Sequence, residues 1–230
     1  MTILMIFSSD FSLQQFLHSL DWKRMIRKTF PSSSQPKDLI LEHGFELLQR
    51  DGIRSFTVEN LAQDLGMSKK TIYKFFPSKE RLLEKMFEFA SGQVIWHFQK
   101  IMEKEPTAIH QINRIFGLLS STASKVSIRR LGDIKIRYPQ IWKRMEEFRL
   151  NRRDDFLTIF ELGQEQGLIR QELDVALTAT MFMHIINSTF QPEFFIQNNL
   201  NPTQALRAFR EIFLRGMLTD KGIQILEELT

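Results

Sequence analysis

Residues 57–83 read TVENLAQDLGMSKKTIYKFFPSKERLL. Thr57 has the short hydroxyl side chain that caps a helix N-terminus, and Val58–Leu65 follows with helical spacing. Asn60 stands where a full capping box would place Glu or Gln, so the box is incomplete. Gly66 ends this helix and suits the positive φ of a tight turn. Ser68 caps a second short helix, Lys69–Phe75, which Pro77 stops. Ser78 then caps a long helix that starts at Lys79, with Glu80 in its first turn. Two short helices joined by LGMS read as a helix-turn-helix. Ala62 is small enough for the helices to cross closely, and Val58, Leu61, Leu65 and Ile72 fill the wedge between them.

With Ile72 and Phe76 pointing inward, Lys69, Lys70, Tyr73 and Lys74 are left on the outer face, where a recognition helix places base and phosphate contacts. Lysines at 69, 70, 74 and 79 can neutralise phosphates and release counterions. Thr57, Ser68 and Thr71 can bond phosphate oxygens, Lys70 or Lys74 can reach guanine edges, and the Thr71 methyl can meet a thymine methyl. The competing reading of this face is a solvated surface over a helical hairpin.

The stretch strongly resembles the DNA-binding domain of TetR-family transcriptional regulators. The resemblance rests on the helix-turn-helix, the Thr71-Ile72-Tyr73 step followed by Phe76, and the Ser78-Lys79-Glu80-Arg81-Leu82 start of the next helix. It extends back through Asp51-Gly52 to a first helix, Lys37–Asp51, and covers about residues 37–89. It implies that Thr57, Ser68, Lys69, Lys70, Thr71, Tyr73, Lys74 and Lys79 touch DNA, with Tyr73 and Lys79 mostly on phosphates. It also implies a homodimer on a near-palindromic operator, its recognition helices about 34–36 Å apart. Two positions depart from the family pattern. Gly44 replaces the usual alanine, which should weaken the first helix slightly. Phe75 replaces a more polar ring, which puts a contact from that position in doubt.

The whole chain reads as all-α: Pro and Gly are sparse and no alternating strand pattern appears. The expected organisation is an N-terminal extension over 1–34, poorly ordered or begun at a mis-assigned start with Met25 as the true one; the competing reading of its apolar start is a short helix packing on the body. A three-helix DNA-binding domain follows over 35–82, its helix-turn-helix at about 57–76, and then a larger helical effector-binding and dimerisation domain over 83–230. The extension carries Lys23, Arg24, Arg27 and Lys28, and this basic part could act as a DNA-reaching arm. Further helices are expected at Thr107–Ser124, Ile128–Arg137, Pro139–Gly163, Asp174–Phe190, Pro202–Leu218 and Gly222–Glu228. A dimer face is assigned to Phe182, Ile186, Leu206, Phe209, Phe213 and Met217. Effector liners are assigned to Phe89, Trp96, Phe116, Tyr138, Trp142, Phe148 and Phe182. Their aromatic character, with no strong charged set beside them, suits an apolar or aromatic molecule. For both groups the competing reading is ordinary core packing within one subunit.

The 230 residues hold 43% apolar residues, enough for a real core, and a net charge of +4 whose clustering matters more than its sum. The chain has no cysteine, which excludes disulfides and thiolate metal sites and fits a cytoplasmic protein. No apolar run approaches the roughly 18–20 residues of a membrane span, so no membrane partner is expected. The five histidines are scattered, and no HExxH, GxSxG or glycine-rich phosphate loop occurs, so neither an enzyme, a metal site nor a cofactor is expected. The function expected is a sequence-specific transcriptional regulator, a repressor released from its operator by a small effector. The alternative is a DNA-bound adaptor of the same fold that works through a protein partner.

Overall fold

The computed structural model describes residues 35–125 and 127–229. The expected extension, with its basic run and the start at Met25, lies outside the described residues. Within them the chain forms helices and one isolated bridge, Ile169 to Leu218. The helices are α1 (Pro36–Ser55), α2 (Val58–Asp64), α3 (Lys69–Phe75), α4 (Lys79–Lys104), α5 (Ala108–Lys125), α6 (Ile128–Arg137), α7 (Pro139–Leu150), α8 (Arg153–Glu165), α9 (Val175–Thr189), α10 (Pro192–Gln197), α11 (Pro202–Met217) and α12 (Asp220–Glu228). None of them is long and apolar enough to cross a membrane.

The first core gathers Ile40, Leu41 and Leu47 of α1, Leu61 and Ala62 of α2, Ile72 of α3, Phe76, and Leu82, Leu83 and Met86 of α4. Gly44 is part of its geometry. A Cβ there would stand 3.0 Å from the Met86 sulfur and 3.4 Å from Leu61, so the missing side chain lets α1 close on α4. The weakening expected from Gly44 is therefore accompanied by a packing role that periodicity does not show. Gly52 breaks the end of α1 at φ 79°, as the Asp51-Gly52 step suggested.

The second core is built by α5, α8, α9, α11 and α12, and Phe182 is its centre. The Phe182 ring lies 4.5 Å from Phe156, 4.8 Å from Phe213, 5.1 Å from Phe209, 5.7 Å from Phe160 and 6.1 Å from Phe116, centroid to centroid. Offset and edge-on rings at these separations add to the burial energy of each side chain. Helix α4, 26 residues and so about 39 Å long, runs through both cores. Its start packs in the first core and Phe98 in the second, so the division expected between residues 82 and 83 falls inside one continuous helix.

Two expectations change in detail. The helix foreseen over Pro139–Gly163 is two helices, broken at Asn151 and Arg152. No proline or glycine marks that break. It lets α7 pack on α4, α6 and α9 while α8 packs on α5 and α9, a demand set by neighbours. Helix α10 was not foreseen, because six residues opening with Pro192 look like a turn.

Candidate nucleic-acid interface

Helices α2 and α3 are held at a fixed angle by their caps and by one shared anchor. The Thr57 hydroxyl accepts from the Asn60 N–H at 3.1 Å, and the Ser68 hydroxyl accepts from the Thr71 N–H at 3.1 Å. The Met67 N–H donates to the Ala62 carbonyl at 2.8 Å across the turn, where Gly66 sits at φ 63°. Ile72 is fully buried and Phe76 is 1% exposed, so α3 has one orientation available.

That orientation places Lys70, Tyr73 and Lys74 in solvent on one face of α3, with Phe75 exposed beside them. Lys69 is exposed too, but its ammonium pairs with Glu59 of α2. The hydrogen bond between them holds the Glu59 carboxyl below its usual range and lifts the Lys69 ammonium above its own. Thr71 turns its hydroxyl to Ser68 at 2.9 Å. Lys79 lies partly buried, its ammonium 2.6 Å from the Phe56 carbonyl and 5.6 Å from the centre of the Phe56 ring. Burial pulls its pKa down. Of the eight predicted contact residues, then, Lys70, Tyr73 and Lys74 are free on the surface. Thr57 and Ser68 act as caps, the Thr71 hydroxyl is paired with Ser68, and Lys69 and Lys79 are engaged within the domain.

The predicted effector liners do not converge on one space. Phe116 and Phe182 are inside the second core. Phe89 and Tyr138 pack against the first. Trp142 is buried under the cations of Lys135 and Arg149, each 5.5 Å from its ring, and its Nε1–H donates to Glu146 at 2.9 Å. Phe148 meets Phe87 edge-on at 6.2 Å, and Trp96 stands against His97 at 4.8 Å. The expectation of apolar surroundings without charge is corrected around Trp142 and Phe148, because Lys135, Arg149 and Arg152 lie over their rings.

The residues assigned to the dimer face lie on the inner sides of α9 and α11. Phe182, Ile186, Leu206 and Met217 are buried in this subunit's own core, and Phe209 and Phe213 pack against it. The exposed apolar positions on the same two helices are Leu177, Met181 and Ile185 of α9 and Ile212 of α11. On α9 both faces are apolar, and hydrophobic spacing alone chose the inner one.

One connection was invisible in the sequence. Arg54, at the end of α1, donates to Asp133 of α6, and Arg130 of α6 donates to the Gln49 carbonyl at 2.7 Å. Asp133 is 9% exposed. The partners are 79 and 81 residues apart, and no local pattern announces them. With α4, this latch ties the helix-turn-helix to the rest of the molecule.

Residues 40–86 match the family model described as bacterial regulatory proteins, tetR family. The chain is 23% identical over 185 residues to the uncharacterized HTH-type transcriptional regulator YvaF of Bacillus subtilis, covering 79% of this chain and 95% of that protein. Its fold is similar to a transcriptional regulator from Cytophaga hutchinsonii (TM-score 0.64, 18% identity, 79% of this chain and 98% of the other). It is also similar to a putative transcriptional regulator from Saccharomonospora viridis solved in complex with choline (TM-score 0.62, 18% identity, 81% and 100%). At these identities the structural likeness is one of fold. The family match spans the residues that build α2, α3 and their packing on α1 and α4, so residues 40–86 form a DNA-binding domain of the tetR type found in bacterial regulatory proteins.

Proposed function

We propose that the chain is a homodimeric repressor that reads a near-palindromic operator through α3 and leaves it when a small effector binds the larger helical part. The observation that carries the reading is the division of α3. Ile72 is fully buried, while Lys70, Tyr73 and Lys74 stand free in solvent on the opposite side. Two unpaired lysines a turn apart, with capped helix N-termini on either side, suit a groove lined by phosphates. Thr57, Ser68 and Thr71 would add hydroxyl contacts. Lys69 and Lys79 would reach phosphate with the N–H donors that Glu59 and Phe56 leave unused.

The second copy would cover the exposed row Leu177, Met181 and Ile185 of α9 together with Ile212 of α11, which is 76% exposed. Apolar rows on adjacent helices are what a four-helix interface between two subunits buries. A regulator of this fold has been solved in complex with choline, which supports a small effector for this chain. The effector would act by population shift, favouring an arrangement of α4 and α6 in which the two α3 helices no longer match the groove spacing.

The test is selection of bound sequences from random duplexes at a stated salt concentration, with the full chain. The expected product is a site with two related half-sites spaced by about one helical turn or a multiple of it. Recovery of no sequence above the non-specific background would overturn the reading.

A further inference from the structure

Helix α6 lies outside residues 40–86, the stretch that matches the tetR model, yet one of its faces runs along the end of α1. Arg130, Asp133 and Arg137 follow one another at i, i+3 and i+7, so they share that face. The Arg130 stem passes so close to Gly52 that a Cβ there would meet its Cδ at 3.2 Å, and its guanidinium bonds the Gln49 carbonyl. One turn on, Asp133 takes Arg54. Arg137 is a further turn along, about 6 Å of helix rise beyond Asp133. The face therefore follows α1 toward its end, and past that end lie Phe56 and Thr57.

Two neighbours locate Arg137. Tyr138, the next residue, packs against the first core. Burial raises the pKa of its phenol, the Glu80 carboxylate adds to the rise, and the Arg137 guanidinium opposes it. Lys79, whose ammonium bonds the Phe56 carbonyl at 2.6 Å, also feels Arg137. Burial lowers the Lys79 pKa, and the second cation lowers it further. Arg137 thus stands by the Phe56–Thr57 step and the first turn of α4, on the edge that carries Thr57 and Lys79.

The charge on this edge is not balanced from within. Arg137 is exposed, and among the described residues nothing hydrogen-bonds or ion-pairs with its guanidinium. The carboxylates that act on Lys79 are Glu80 and Glu59, and Glu59 is taken by Lys69. That leaves Glu80 to face two cations. A planar guanidinium with its donors free matches the paired oxygens of a phosphate.

We infer that Arg137 is a DNA-backbone contact supplied from outside the helix-turn-helix, its guanidinium gripping a phosphate beside the one that Lys79 reaches. This extends the reading of α3 above and rests on it. The surface that meets the duplex then runs from α3 across Thr57 and Lys79 onto the end of α6. No base is read there, so the contact adds affinity and orientation without sequence choice. Glu80 is the internal rival for the guanidinium, and the test separates the two.

The full chain is titrated with its selected duplex and with an unrelated duplex at several salt concentrations. Arg137→Gln is expected to weaken both by the same factor, roughly eightfold per subunit at about 0.1 M salt, and to lower the slope of log affinity against log salt by about 0.9 per subunit. Its melting temperature should not change, since the guanidinium gives up no internal partner. Arg137→Lys keeps the charge and should keep the slope. Arg129→Gln removes the same charge from the exposed far end of α6 and should leave the slope unchanged. When a single uncharged methylphosphonate is scanned along a half-site, one position should weaken the unmodified chain but not Arg137→Gln. The inference is overturned if Arg137→Gln leaves the slope unchanged, or if Arg129→Gln lowers it equally, which is a net-charge effect. It is also overturned if Arg137→Gln melts lower and that loss disappears in the Glu80→Gln background, which is an internal ion pair. Absence of any duplex binding by the unmodified chain sinks the regulator reading and this contact with it. Duplex binding that Arg137→Gln leaves intact sinks this contact alone.

Discussion

Lys70 and Lys74 carry the DNA reading at single-residue resolution, because neither has an internal partner to give up on binding. Replacing either by alanine should weaken duplex binding across sequences and lower the slope of log affinity against log salt by about 0.9. Titrations at several salt concentrations measure both quantities. An unchanged slope would mean that the ammonium is not on a phosphate. Lys79 should behave differently. Its ammonium bonds the Phe56 carbonyl, so Lys79→Ala should cost fold stability as well as affinity, by about 1 kcal/mol for the lost hydrogen bond. Gly44→Val should cost about 1–3 kcal/mol in urea unfolding, because even a Cβ there meets Met86 at 3.0 Å. His97 adds a pH dependence of definite sign. Burial holds its folded pKa below the ordinary 6.5, so the unfolded chain binds more protons in mild acid. Its contribution to stability is therefore complete above the unfolded pKa and declines as pH falls below it. Melting curves from pH 7.5 to 5 should fall less steeply for His97→Gln than for the unmodified chain.

Among the elements, the short helices were legible because their punctuation is local. Thr57, Gly66, Ser68, Pro77 and Ser78 each act within four residues of themselves, and the boundaries of α3 agree with the reading from sequence. The α7–α8 break and α10 were not legible, since both answer to neighbours distant in sequence. The same holds for the α1–α6 latch. Arg54→Ala leaves the nearly buried Asp133 carboxylate without its cation, and it should destabilise the fold by about 1–3 kcal/mol. Asp133→Ala should cost less, because the remaining Arg54 is half-exposed and finds water. Denaturant midpoints of the two variants give the comparison, and equal costs would mean that the carboxylate is not the group left in difficulty.

In the assembled molecule, the apolar row on α9 and α11 predicts association. Ile212→Glu should yield a folded monomer, seen as a halved mass by light scattering with an unchanged helical spectrum, and operator affinity should drop because each half-site is bound alone. A dimer that survives this change, together with Met181→Glu, would place the interface elsewhere. The sequence alone assigned the dimer face to the inner side of these two helices, the side that packs in the subunit's own core. Both sides of α9 are apolar, and hydrophobic spacing cannot tell a face that meets its own core from one left for another copy.

The helix-turn-helix, the inward anchors Ile72 and Phe76 and the outward Lys70, Tyr73 and Lys74 were settled by the order of residues. Helical period, caps and turn glycines are short-range effects, and a three-helix core of this size leaves them one arrangement. The tertiary structure decided which lysines are free, which aromatic residues are core and which apolar face stays exposed. Those outcomes depend on contacts between residues far apart in the chain. Such contacts are set by packing and desolvation, which no window of the sequence contains.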